Sequence, residues 1–171
     1  LCEVYQRLTR TRDDINLVIA GQGPYLNEMK ELMKEHPRVH FTGALSRDKL
    51  PKLYNGADIF IFPSVTDTFG MVILESLACG LPVLVSNHGG PKELVAGGGG
   101  KVVPDQDPNT WKQAILDYID LIERYPESYE QLRKKARASV KDCADWDDIL
   151  DDLLGQDSSL VCESVPLERA A

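Results

Sequence analysis

Two acidic residues, Asp67 and Glu75, bracket a glycine at position 70. The stretch from Pro63 to Pro82 reads PSVTDTFGMVILESLACGLP, which predicts a loop and then a helix from Gly70 to Cys79 that ends at Gly80. Gly70 allows close backbone approach at the helix start. The first N–H groups of a helix lack intrahelical partners, and with the helix dipole they suit a phosphate or diphosphate. Glu75 falls one turn beyond Met71 on the same side, inside an apolar run where glutamate is rarely buried without a partner. A carboxylate there can accept two hydroxyl hydrogen bonds from a ribose or another vicinal diol. Asp67 lies in the preceding loop and can face the same pocket from the other side of bound phosphates. The order acid, amide nest, acid fits a sugar-nucleotide better than a bare phosphate. The plain alternatives are that Asp67 caps or braces the loop and that Glu75 pairs with a lysine or arginine.

The elements around this stretch must place it. Leu17–Ala20, Val39–Phe41, Ile59–Phe62, Pro82–Val85 and Lys101–Val103 are short apolar runs, and each reads as a buried strand. Helical patterns separate them: Leu1, Val4, Tyr5 and Leu8; Leu26, Met29, Leu32 and Met33; Leu50, Leu53 and Tyr54 after an N-cap at Ser46; and a short helix with Pro91 at its first position. Alternation of this kind predicts βα units and one mostly parallel, Rossmann-like sheet of about five strands, flanked by helices on both faces. Ligands of such folds bind beyond the carboxyl ends of the strands. After Val103 the pattern is helix only. Trp111 to Ile122, Tyr129 to Val140 and Trp146 to Leu154 give three apolar faces, on which both tryptophans read as core. The domain is expected over residues 1–155, with a flexible tail over 156–171.

Composition narrows the class. The 171 residues are 43% hydrophobic, which fits one globular domain and excludes global disorder. Lys and Arg number 19 against 27 Asp and Glu, a net charge of -8, which opposes a nucleic-acid footprint. The four cysteines form no CxxC pair and only three histidines are present, so no zinc site or disulfide framework is expected. Cys79 reads as a small buried hydrophobe, and His36 and His40 as structural or surface residues. No apolar run reaches the roughly 20 residues of a membrane-spanning helix, and a cytoplasmic location is expected. Lys134, Lys135, Arg137 and Lys141 form a basic patch, read as a solvated face. The acidic run from Asp142 to Asp152 beside it opposes the alternative of membrane-surface association.

The ordered set of motifs resembles the donor-binding, C-terminal half of retaining glycosyltransferases of the GT-B fold, in the large family-4 group. That group carries Glu-x7-Glu, a small-residue helix and Gly-x-Pro-Val; here the run is Asp67-x7-Glu75, then Ala78-Cys79-Gly80-Leu81-Pro82-Val83. The likeness extends over Val18–Pro24, Val39–Gly43, Ala57–Ser64, Gly89–Val95 and Val103-Pro104, or roughly residues 1–155. It implies that Glu75 binds the nucleotide ribose and that Asp67 approaches the donor sugar as the catalytic acidic residue. It implies that the backbone at Phe69, Gly70, Met71 and Val72 contacts the sugar and diphosphate. The loop after Phe41, with Gly43 and Leu45, would lie on the base side; Ser64 and His88 are further pocket candidates, His88 with a plain loop hydrogen bond as the alternative. The implied donor is a nucleotide-diphospho-sugar, with no tightly bound cofactor and no metal. Anomeric configuration would be retained, the leaving diphosphate guiding attack by the acceptor hydroxyl on the same face.

Two departures stand out. Asp67 replaces the usual glutamate and is shorter by one methylene. The family also places a glycine-rich turn and an Arg/Lys pair, which neutralise the diphosphate, before the helix that opens this chain. The chain begins without methionine inside that helix. It is therefore expected to be a piece of a two-domain enzyme that lacks its N-terminal acceptor domain, and to be inactive in isolation. The competing reading is a non-catalytic nucleotide-sugar-binding or regulatory module of the same ancestry. A third, another GT-B activity such as an epimerase or a phosphorylase, finds no lysine signature for a pyridoxal cofactor.

Overall fold

Residues 1–46 and 48–140 are described in a computed structural model of the chain. The described residues form seven helices and five strands, alternating as far as α6: α1 (Cys2–Leu8), β1 (Leu17–Ala20), α2 (Leu26–Leu32), β2 (Val39–Gly43), α3 (Leu50–Asn55), β3 (Phe60–Phe62), α4 (Met71–Ala78), β4 (Val83–Ser86), α5 (Pro91–Leu94), β5 (Gly100–Val103), α6 (Pro108–Arg124) and α7 (Pro126–Ser139). All strand pairs are parallel, as the βα alternation requires. The expected single sheet is instead two. β1 pairs with β2, and β3, β4 and β5 form a second sheet with β4 in the middle. No ladder joins β1 to β3, so each keeps one edge without a strand partner among the described residues. Burial follows from this. β4, with a neighbour on each side, is buried at every residue, whereas Val18 of β1 stays 42% exposed although its strand is wholly apolar.

β4 divides the core by its period of two. Leu84 faces a layer built by Val4 and Leu8 of α1 and by Trp111, Ala114, Ile115 and Tyr118 of α6. Val83 and Val85 face the opposite layer, made by Ile73 and Leu77 of α4, Val95 and Ala136 of α7. Trp111 is core, as its helical spacing predicts, and its indole N–H donates to Asp105 O at 2.9 Å. His36 stands edge-on to Tyr5, ring centroids 5.7 Å apart, and His40 is exposed. Trp146, Cys143, Cys162, Lys141, the acidic run and the tail lie outside the described residues.

Several local expectations change. Ser46 does not cap α3 with its side chain. Its carbonyl accepts Lys49 N–H and Leu50 N–H, and Lys49 takes the cap position, because a turn intervenes before the helix. Leu32 is exposed and Met33, the C-cap, is buried instead, since α2 ends one residue before the apolar stripe does. Cys79 is only half-buried, because it lies at the C-cap of α4 rather than within it.

An exposed ion cluster ties the turn after α1 to α6. Arg12 donates to Asp14 Oδ1 at 2.9 Å and Oδ2 at 2.6 Å, and also pairs with Glu123. Its hydrogen bonds hold the Asp14 carboxyl down at about 2 and lower that of Glu123. Depressed carboxyl values mean that the stabilisation is present above the ordinary carboxylate range and is lost as pH falls toward 2. Arg12→Gln is therefore expected to lower stability at pH 7, with the gap to wild type closing near pH 2 and in high salt. Urea unfolding at the two pH values checks this; a gap unchanged by acid would refute it.

Candidate functional site

The segment from Ser64 to Gly70 crosses from the carboxyl end of β3 to the start of α4. Four contacts fix its course. Fully buried Ser86, at the end of β4, donates its hydroxyl to Ser64 O. Ser64 Oγ in turn accepts Thr66 N–H at 3.4 Å and Asp67 N–H at 3.3 Å. Asp67 Oδ1 accepts Phe69 N–H at 2.9 Å. From the other side, the glycine pair after β4 presses on the loop. A Cβ on Gly89 would strike Asp67 O, and one on Gly90 would strike Thr68 O, each at a separation no real Cβ tolerates.

Gly70 then turns the chain into α4. It sits in the left-handed region at φ 87°, ψ 49°, which explains a glycine at this cap. The helix proper is Met71–Ala78, so Gly70 is its N-cap rather than its first residue. Ile73 N–H turns back to Gly70 O at 2.8 Å. The N–H groups of Met71 and Val72 precede it in the first turn, where a helix offers donors outward. The Phe69 N–H is engaged by Asp67, and the side chains of Phe69 and Met71 are both exposed. At the far end, Gly80 closes α4 at φ 73°, and Arg133 and Arg137 of α7 donate to Gly80 O and Cys79 O at 3.1 and 3.2 Å.

Glu75 lies one turn into α4 and is half-buried. The lysine or arginine partner considered for it does not occur among the described residues. Its Oε2 instead accepts the hydroxyl of Tyr54 at 3.2 Å. The plain reading of Asp67 as a loop brace is realised by its bond to Phe69 N–H, and its Oδ2 makes no hydrogen bond among the described residues.

Ser64, Asp67, Phe69 and Gly70 thus form one continuous braced segment, with Met71, Val72 and Glu75 on the helix it starts. His88 is exposed in the loop that contains the pressing glycines. Phe41, Gly43 and Leu45 stand apart, at the carboxyl end of the other sheet. There Gly21 N–H donates to Gly43 O at 2.8 Å, and the Lys30 ammonium lies 6.0 Å from the Phe41 ring centroid. No hydrogen bond among the described residues links that group to the Asp67–Glu75 segment. Sequence reasoning missed Tyr54 and Ser86. Both partners lie over 20 residues away in the chain, beyond any local pattern. Among the described residues no group of three His, Cys, Asp or Glu side chains is arranged to hold a metal, and no helix is long and apolar enough to cross a membrane.

The arrangement offers outward amides at a helix start, one acidic group before them and one a turn later. Known proteins resemble the chain in sequence and in fold. The chain is 32% identical over 140 residues to a GDP-mannose-dependent alpha-mannosyltransferase of Corynebacterium glutamicum, covering 82% of this chain and 30% of that protein. Its fold matches sucrose-phosphate synthase of Thermosynechococcus elongatus with a TM-score of 0.73 at 27% identity, over 89% of this chain and 40% of that one. It also matches Anabaena HepE in complex with UDP and glucose, with a TM-score of 0.70 at 22% identity, over 89% of this chain and 42% of that one. The chain thus spans less than half the length of these relatives. The pattern that defines the glycosyl transferases group 1 runs through residues 1–139. It takes in both sheets, the braced loop and the whole of α4, and the chain belongs to that family.

Proposed function

We propose that this chain is the donor-binding part of a retaining glycosyltransferase that takes its sugar from a nucleotide-diphospho-sugar. The observation that carries the reading is the geometry of α4: first-turn amides at Met71 and Val72, Asp67 in the braced loop before them, and Glu75 one turn on. Glu75 would accept the ribose hydroxyls, the amides would meet the diphosphate, and Asp67 Oδ2 would approach the donor sugar. Phe41, Gly43 and Leu45, with Lys30 over the Phe41 ring, would form the base side, and Ser64 would brace the pocket rather than bind in it. The C. glutamicum relative uses GDP-mannose and the Anabaena structure holds UDP and glucose; a nucleoside diphosphate is common to both.

In the reaction the bond from the anomeric carbon to the diphosphate breaks, a bond to the acceptor oxygen forms on the same face, and the acceptor proton passes to the departing diphosphate. Negative charge grows on that diphosphate, and amides fixed in advance stabilise it there. Acceptor binding and further diphosphate neutralisation belong, in this reading, to a preceding domain of the parent protein, so the 171 residues alone bind donor without turning it over. The non-catalytic alternative differs from this in the parent's turnover, not in donor binding.

Calorimetry with UDP-, GDP- and ADP-sugars tests the reading. Glu75→Ala is expected to weaken whichever binds by about 1.5–3 kcal/mol, the loss of a charged hydrogen-bond partner. Unchanged affinity would sink the ribose assignment.

A further inference from the structure

Tyr54 has no role in the scheme above, yet it makes the one side-chain hydrogen bond to Glu75 among the described residues. It is 6% exposed, and its hydroxyl reaches across from α3 to α4 to donate to Glu75 Oε2. Its ring is held edge-on against Phe60 of β3, with centroids 5.7 Å apart and planes at 79°. Phe60 in turn lies 6.1 Å from Phe62, next to the braced loop. The donor is therefore fixed by the sheet and not by the helix that carries the acceptor. Burial, and then the negative charge of Glu75, push the phenol well above its usual range, so it remains a protonated donor throughout the working pH span.

A free glutamate on a helix surface samples many rotamers, and ordering it on binding costs affinity. An anchored one does not incur that cost. We propose that Tyr54 is a positioning residue for sugar recognition, clamping Glu75 Oε2 so that Oε1 is presented as a preset acceptor for the vicinal diol of the nucleotide ribose. This inference rests on the reading of Glu75 as the ribose ligand. It makes discrimination of ribose from deoxyribose depend on a phenol that never touches the ligand.

Tyr54→Phe keeps the ring and its edge contact with Phe60 and removes only the hydroxyl. The probes are uridine, guanosine and adenosine 5′-diphosphates and their 2′-deoxy and 3′-deoxy counterparts, followed with the 171-residue chain by saturation-transfer NMR up to millimolar ligand. In Tyr54→Phe the preference for the ribo form is expected to fall by about three- to tenfold, the worth of one hydrogen bond. Affinity for the deoxy forms should stay unchanged, and a folding defect would move that number as well. Glu75→Gln serves as the reference. Loss of the preference in both variants supports the proposal. Loss in Glu75→Gln but not in Tyr54→Phe overturns the positioning role alone. An intact preference in Glu75→Gln overturns the ribose reading itself, as does failure of wild type to bind any of the nucleotides. A parallel loss of ribo and deoxy affinity in Tyr54→Phe marks a packing role and also overturns the proposal.

Discussion

Gly90→Ala is expected to abolish measurable donor binding while the chain still folds. Gly90 has an ordinary backbone, φ -69° and ψ -30°, so alanine meets no torsional penalty there. What it meets is Thr68 O, far inside van der Waals contact, with Thr68 C and Phe69 Cα close behind. These are backbone atoms and cannot rotate away, so one of the two loops must shift. The loop that carries Asp67 is largely exposed and held by a few hydrogen bonds at Ser64 and Phe69, whereas Gly90 caps α5, whose Pro91 is buried. The Asp67 loop therefore gives way. Overpacking of this kind costs about 1–3 kcal/mol of stability. Moving a positioned group by 1 Å can cost about a hundredfold in function. Gly89→Ala adds strain at φ 69° to a clash with Asp67 O and should be worse. Titration with the donor that wild type binds, beside a thermal melt, checks both variants. Full binding by Gly90→Ala would show that the loop has slack and that its geometry is not set by the glycine pair.

Asp67, Gly70 and Glu75 are separated by less than three helical turns, so their proximity can be read from spacing alone, and the parallel βα order follows from short apolar runs set between helical stripes. The two-sheet arrangement could not. Each strand's composition is the same whether or not its edge is paired, and β1 and β3 differ in nothing that predicts a missing ladder between them. The partners of the site residues were hidden for a related reason. Tyr54 reads as one more apolar position on α3, and Ser86 as the polar end of a strand; only the packing of α3 on α4, and of the β4 end on the β3 loop, brings them to Glu75 and Ser64. Ser46 stands in a turn rather than at the cap of α3, and the two positions favour the same residue types. The Phe69 N–H bond to Asp67 arises from a two-residue Asx turn, which that sequence permits but does not require.

Leu77→Ala is expected to bring the largest loss of stability, about 2–5 kcal/mol. Leu77 is 0% exposed and lies in the layer with Ile73, Val83, Val85 and Ala136. Its Cδ2 also fills the space above Gly99, where a Cβ would come within 2.6 Å. Truncation would open a cavity bounded by a strand, a helix and a glycine turn, none of which can collapse into it without moving backbone. A domain of this size has a total stability of only about 5–15 kcal/mol, so a third or more could vanish. Met71, six residues earlier on the same helix, is 60% exposed, and Met71→Ala should change stability by less than about 0.5 kcal/mol. The contrast separates the two jobs of α4. Its inner face seats the helix on β4; its outer N-terminal turn takes little part in the core. Denaturant unfolding of both variants tests this division. Comparable losses at Leu77 and Met71 would mean that the helix mouth is part of the core, and a mouth so committed would not be available to a diphosphate.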